Sequence, residues 1–440
     1  MKIPLMRAVR GVTAGALVAA GALVAAGALV AAGALVAAGA LVAAGALASP
    51  AAAGAAPPVP PAGPPPPPPP LRGDGRTWSE TTSGVETVLP TGRLVVSARG
   101  SVSVEGSSES VVRYTLVKHV RARSEAEAKH LFQQHQVRAD RTGDLTILRF
   151  LHGGDDATSS ELVLRVPRGL REVAVETHGG SVEAKDLAGA LKAETGGGRM
   201  ALDKIGGRVV ALTAGGDVTL GSIGGPIECT SAGGSIRAWR LANQALLETA
   251  GGDIDVSEVV GSVRASTAGG GIRIAKAGAS VNAKTAGGAI DVREAHGIVT
   301  ANNQGGPILI GSALGGAMLE TAGGTIRLGS LAGNVRAATA MGNIHAYLTM
   351  GRQIQAGALT TGAGDITVWI PAGYPVTIRA ENAATNAARA IISDFPGLTF
   401  RTNGPLAIAE GKIHGGGPVL RLTGTGGTIS IKKREGTKEE

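Results

Sequence analysis

Aromatic side chains are scarce: Phe, Trp and Tyr together number ten in 440 residues. A globular core of ordinary breadth leans on aromatic bulk, so this chain must fill a narrow core with small aliphatics. There is one cysteine, Cys229, which excludes an internal disulfide framework and a cysteine-based zinc cluster. No cysteine stands near the N-terminus, which excludes a lipid-modified cysteine anchor. Net charge is also modest. The formal balance is +8, and Lys2, Arg7 and Arg10 precede an apolar leader. If that leader is removed, about +5 remains over nearly 400 residues, too diffuse to argue for nucleic acid as a partner.

The chain is rich instead in glycine, 69 residues of it, and the glycines keep a strict order. Before they begin, Gly11 to Ala48 runs without a charge, and a hexamer Gly-Ala-Leu-Val-Ala-Ala recurs from Gly15, Gly21, Gly27, Gly33 and Gly39. A basic start, an apolar stretch and small residues at Ala46-Leu47-Ala48 are the parts of an export signal. The apolar run exceeds the ~20 residues that span a bilayer, so a cleaved signal and a retained anchor both stay open for residues 1–48. Residues 49–75 form a Pro-rich linker, with seven consecutive prolines from Pro64. Such a run favours an extended rod of about 3.1 Å per residue, a spacer between membrane or wall and whatever follows.

From Thr177 the chain counts in eighteens. Glycine stands at 180, 198, 216, 234, 252, 270, 288, 306, 324 and 342 with no insertion, preceded by another glycine in every unit but the last, where Met341 replaces it. Three residues before each of these glycines is a threonine, or Ser231 or Asn303 in its place. Two and four residues after come aliphatics, as in Ile254 and Val256 or Ile272 and Ile274. That alternation is a strand with one face inward. A second pair follows nine residues on, as in Val263 and Ala265, with a single apolar residue such as Val259 between. Each unit is therefore two short strands and two turns, for which glycine is the turn residue because tight turns often need positive φ. One such unit cannot bury enough to offset the ordering of its own backbone; stacked units share strand edges and apolar columns, so only an array is stable. The expected fold is all-β, a single-stranded β-helix whose ten regular coils over 177–356 extend about 48 Å. In the stack Arg237, Asp255, Arg273 and Asp291 would form an outward column of alternating charge. Trp239 and Tyr347 share another outward column but are too many coils apart to make an aromatic strip.

The flanks read as caps, which open strand edges require. Residues 76–176 hold less regular strands (Leu94 to Val96, Gly100 to Val104, Leu145 to Phe150, Glu161 to Pro167) and a short helix opening at Ser124 with capping-box spacing to Glu127 and ending near Gln136. Beyond Gly351 the register slips. Residues 357–433 read as wider final coils and a second cap, and 434–440 as a charged tail.

Several of these segments together resemble the bacterial family known as "putative adhesin". The resemblance covers roughly residues 78–433. It rests on Gly100-Ser101-Val102-Ser103-Val104, on Arg165-Val166-Pro167-Arg168-Gly169 after a strand, on the T-x-G-G-x-I units, and on Ile392-Ser393-Asp394-Phe395-Pro396 followed by Gly415-Gly416-Gly417 and Gly427-Thr428-Ile429. Where the family often has Asn-Gly this chain has Gly-Gly, a conservative departure. The resemblance implies a right-handed β-helix at the cell envelope and brings no catalytic motif to transfer.

Gly251-Gly252-Asp253-Ile254-Asp255-Val256 is near a calcium-binding nonapeptide, but Ile254 stands where that motif needs glycine and the second half-unit lacks its aspartates. A carbohydrate-cleaving β-helix needs paired carboxylates in a walled cleft; uninterrupted coils supply no long loops, and Asp217, Asp253 and Glu258 read as solvated. A threonine row facing water could bind ice, but a column beside a glycine turn reads as structural hydrogen bonding. Cys229 falls in an inward, alanine-rich column as a small hydrophobe, and His130 and His135 have no metal spacing. No catalytic, cofactor-binding or metal-ligating residue is assigned and no cofactor is expected. The expectation is a non-enzymatic exported protein of the periplasm, cell surface or medium. It would serve as adhesin or scaffold for an envelope polymer, surface or peptide, touching membrane only through an uncleaved leader. A sensor of envelope-active peptides or polymers is the alternative.

Overall fold

A computed structural model of the protein describes residues 72–73, 76–134, 136–151, 158–383 and 390–434. The leader, nearly all of the Pro-rich linker, His135 and residues 435–440 lie outside the described residues. The described chain is a β-solenoid of about 11 turns with coils about 18 residues apart, 64% strand and 3% helix.

The reason is visible in one coil. Ile254–Val259 and Val263–Thr267 are its two strands, and each pairs in parallel with the strands 18 residues before and after. Two long parallel sheets result. The first holds strands such as Ile236–Leu241, Ile254–Val259 and Ile272–Ala277; the second holds Ala245–Thr249, Val263–Thr267 and Val281–Thr285. Register is kept residue for residue, so Ile236, Ile254, Ile272, Ile290, Ile308 and Ile326 form one buried column. Facing it, the second sheet contributes Ala211, Cys229, Leu247, Ala265 and Ala283, all buried. A column of large aliphatics on one sheet and a column of mostly small residues on the other, Leu247 excepted, fill the core without aromatics. Cys229 belongs to this dry column, and burial pushes its thiol pKa up to about 12. The folded protein should therefore leave Cys229 unlabelled by iodoacetamide at pH 8, with labelling only after denaturation. Labelling of the native chain at the rate of a free thiol would show that the column opens.

The threonines line the inside, next to the glycine turn. Thr267 is buried; its hydroxyl donates to the Gly252 carbonyl of the coil before at 2.9 Å and accepts the Gly270 N–H of its own coil at 3.2 Å. The same bridge is made by Thr249, by Ser231 and by Thr321. At Asn303 the amide nitrogen donates to Gly288 at 2.7 Å while the amide oxygen accepts the Gly306 N–H at 3.0 Å. One hydroxyl thus ties two coils together and satisfies a carbonyl and an N–H at the turn. Replacing Thr267 with Val removes both bonds and should cost about 2–4 kcal/mol, read as a shift in the denaturation midpoint. Thr267→Ser should cost under about 1.5 kcal/mol, since Ser231 makes the same contacts.

The glycines line up one above another as the period requires, but the reason differs from the expected one. The second glycine of each pair does not have positive φ. It is glycine because the coil before lies too close. A Cβ on Gly198 would stand 1.9 Å from the Gly180 carbonyl oxygen, and one on Gly234 2.2 Å from that of Gly216. The column outlasts the regular period: Gly364 lies on Gly342 and Gly427 on Gly364. Positive φ governs only irregular places such as Gly316 and Gly333.

At both ends the spatial order of coils departs from chain order. Arg93–Ala98 and Ser101–Ser107 lie between the coil of Glu172–Thr177 and Val182–Leu187 and that of Leu145–Leu151 and Thr158–Pro167. Antiparallel strands then close the edges: Val111–Arg121 on Thr158–Pro167, Thr77–Thr87 beyond it, and Gln136–Thr142 on Leu145–Leu151. The helix covers Glu125–Gln133, ending short of Gln136, with the Glu127 N–H donating to Ser124 Oγ at 3.2 Å. The C-terminal end repeats the arrangement. Val419–Gly424 and Ile429–Arg434 slot between the coil of Ile354–Thr361 and Ile366–Pro371 and the coil of Val376–Ala383 and Ile391–Ser393. The hairpin of Leu398–Asn403 and Leu406–Ile413 closes that edge.

Candidate functional site

The carboxylates singled out by sequence are committed to the stack. Asp217 Oδ1 accepts the Ser235 N–H at 2.8 Å, and Asp253 Oδ1 accepts the Gly271 N–H at 2.7 Å, each one coil further on. Farther along the chain Asp365 does the same for the Thr428 N–H at 2.7 Å. Glu258 sits 3.5 Å from Arg240. Among the described residues no group of three or more His, Cys, Asp and Glu side chains could hold a metal ion. His130 meets Gln134 along its helix at 3.3 Å.

The charge column has the expected register, Arg237 beside Asp255 beside Arg273 beside Asp291, and Asp255 and Arg273 close to 3.4 Å. A parallel column three residues along, Arg240, Glu258, Lys276 and Glu294, was not anticipated. Both are largely exposed. Arg273→Ala should lower stability by no more than about 1 kcal/mol; a loss above about 2 kcal/mol by chemical denaturation would show that the ladder holds the fold.

A shallow concavity runs along the second sheet. Its volume is about 680 Å³. One side is set by Arg208, Pro226, Gln244, Ser262, Ser280 and Ile298, which follow at eighteen-residue steps and so belong to successive coils. The other side runs from Glu228 through Leu246, Arg264 and Thr300 to Met318. Six coils at ~4.8 Å make a trough about 25 Å long, parallel to the stacking axis. Two small hydroxyls, Ser262 and Ser280, stand midway along the first side, and Ile298 and Met318 are about half exposed at one end. The Arg208–Glu228 pair, 3.1 Å apart, closes the other. Sequence reading missed this trough. Its lining residues share no type; they are brought into line only by the constant step.

On the first sheet Trp239 stands alone and 72% exposed. Tyr347, in the same column, does not. Its ring stacks on Trp369, centroids 4.3 Å apart and planes 4° from parallel. The pairing escaped sequence reading because the two lie twenty-two residues apart, across the slip in register after Tyr347.

No family model matches this chain, and no curated protein matches it. Solved structures do. One is a "putative adhesin" of Bacteroides fragilis, 10% identical, covering 81% of this chain and 97% of its own, with a TM-score of 0.27. Another is a "putative cell adhesion protein" of Clostridium sporogenes, 11% identical, covering 81% and 100%, TM-score 0.15. A "putative lipid binding protein" of Parabacteroides distasonis is 12% identical, covering 82% and 98%, TM-score 0.22.

Proposed function

We propose that this chain is an exported, non-enzymatic envelope protein whose solenoid presents long faces for adhesion or scaffolding. The observation that carries this reading is the trough on the second sheet. It crosses six successive coils, bounded at one end by the Arg208–Glu228 pair and open at the Ile298 and Met318 end, so its length suits an extended polymer rather than a compact small molecule. Its lining mixes an ion pair, hydroxyls and apolar side chains with no pair of catalytic groups poised across it, a recognition surface rather than a reaction centre. The basic start, apolar run and small-residue site at the N-terminus support export, and the Pro-rich stretch supports a spacer that holds the solenoid away from membrane or wall.

A sensor of envelope-active peptides is the second reading, favoured by the exposed Ile298 and Met318 at one end of the trough. The full chain, immobilised, would be offered purified cell-wall polymer and, separately, membrane-active peptides. Retention of wall polymer, lost in Ser262→Arg with its bulk in the trough, supports the scaffold. Retention of peptide alone supports the sensor. Shortening of an offered polysaccharide would overturn both.

A further inference from the structure

We infer that the first sheet carries a second binding surface, built around the Tyr347–Trp369 stack, that takes a carboxylated pyranose of an acidic polysaccharide. It is independent of the trough, which lies on the other sheet.

The geometry begins with register. Tyr347 and Trp369 are direct partners in adjacent parallel strands, so their rings, stacked 4.3 Å apart, stand upright on the sheet with their planes across the stacking axis. The outer face of Trp369 is turned towards Lys432, its partner in the next coil. The outer face of Tyr347 is turned towards the coils before, where its column holds Gly329 and then Gly311. Neither can carry a side chain without a clash: a Cβ on Gly329 would lie 2.2 Å from the Gly311 carbonyl oxygen, and one on Gly311 2.4 Å from that of Arg293. The column itself therefore puts no side chain in front of the aromatic face for two coils, a notch about 10 Å along the axis with Arg352 reaching to Ser312 at its far end. One sugar ring fits there, its C–H face against the tyrosine.

The rim is cationic. Arg327 is exposed beside His345 in the adjoining column. Arg352 reaches back from the loop after Tyr347 to donate from Nη1 to Ser312 Oγ at 3.1 Å. That partner is a neutral hydroxyl, so a carboxylate offered at the same place would be the stronger acceptor. His345 packs with its ring centroid 5.7 Å from that of Trp369, and its Nδ1 is buried with no hydrogen-bond partner, a polar atom beside the rings that the protein itself does not satisfy. The strands Ile308–Ala313, Ile326–Leu331, Ile344–Tyr347, Ile366–Pro371 and Ile429–Arg434 carry Arg327, Lys432, Lys433 and Arg434 and no carboxylate; the two carboxylates beside them, Asp365 and Asp394, accept backbone N–H groups of Thr428 and Lys433, and the cations outnumber them. Over the preceding coils of the same sheet the charges alternate in sign. The surplus begins where the notch begins. A single-stranded nucleic acid also likes cations and rings, but it needs several separate platforms for successive bases; here the two rings are spent on each other and leave one free face.

The test uses the full chain carrying Trp239→Phe, titrated with calcium-free sodium alginate and with neutral dextran, following tryptophan fluorescence and calorimetric heat. Alginate should bind at least about ten-fold more tightly than dextran, with binding weakened by salt. Tyr347→Leu should lose about ten-fold or more in affinity and Tyr347→Phe less than about three-fold, because the ring and not the hydroxyl is used. Arg327→Gln, at an exposed position that leaves the fold alone, should lose about five- to ten-fold. The inference is overturned if alginate does not bind, if dextran binds as well, or if Tyr347→Leu binds alginate as the unaltered chain does, which would reduce the surface to a diffuse cationic patch. It is equally overturned if an oligothymidylate displaces alginate at matched charge.

Discussion

Gly270→Ala is expected to destabilise the solenoid by about 3 kcal/mol or more, while Gly269→Ala, one residue earlier, should leave it within about 1 kcal/mol of the unaltered chain. The two glycines sit in the same turn and differ in what lies over them. A Cβ on Gly270 would be 2.1 Å from the Gly252 carbonyl oxygen, 2.5 Å from its carbon and 2.8 Å from the Asp253 nitrogen. All three are backbone atoms of the adjacent coil, held by parallel pairing on both sides, so no rotamer change relieves the clash. A Cβ on Gly269 would meet its nearest atom, the Gly251 carbonyl oxygen, at 3.6 Å, an ordinary contact. The last unit already makes this exchange, with exposed Met341 at the first-glycine place. Denaturation midpoints of the two variants, measured side by side, check the contrast. Equal losses would mean that backbone freedom, not coil-to-coil contact, sets the need for glycine.

Deleting residues 416–440 should unravel the whole C-terminal end rather than trim it. Those residues supply Val419–Gly424 and Ile429–Arg434, which lie inside the stack, each paired on both edges. Their removal exposes the strands of both neighbouring coils and leaves Ile391–Ser393 with no parallel partner. Burial of Leu420, Leu422, Ile429 and Ile431 alone is worth about 6–12 kcal/mol, comparable to the net stability of a domain. Limited proteolysis followed by mass measurement should yield a resistant fragment ending near Pro371. Survival of a fragment reaching Ile413 would contradict the interleaved order.

How far the fold could be read in advance follows from distance along the chain. In the regular coils every important neighbour is eighteen residues away, so a contact appears in the sequence as a repeated letter. Thr249, Thr267 and Thr285 stand at equal steps because each hydroxyl reaches the same atom of the coil before. The buried columns, the two strands per coil and the charge column were legible for that reason. The reason for the glycines was not. Turn chemistry and close approach both select glycine, and only a measured separation of backbone atoms distinguishes them.

By itself, the sequence determined the all-β class, the coil length, which side chains face inward and the threonine-glycine seam, because a constant period turns a three-dimensional contact into a one-dimensional pattern. The tertiary structure alone decided the interleaving of the end coils, the trough and the Tyr347–Trp369 stack. Asp365 bonds to Thr428 across 63 residues, and Tyr347 finds Trp369 across a break in the count. Contacts at unequal separations leave no repeat to read, so they exist only once the chain has closed on itself.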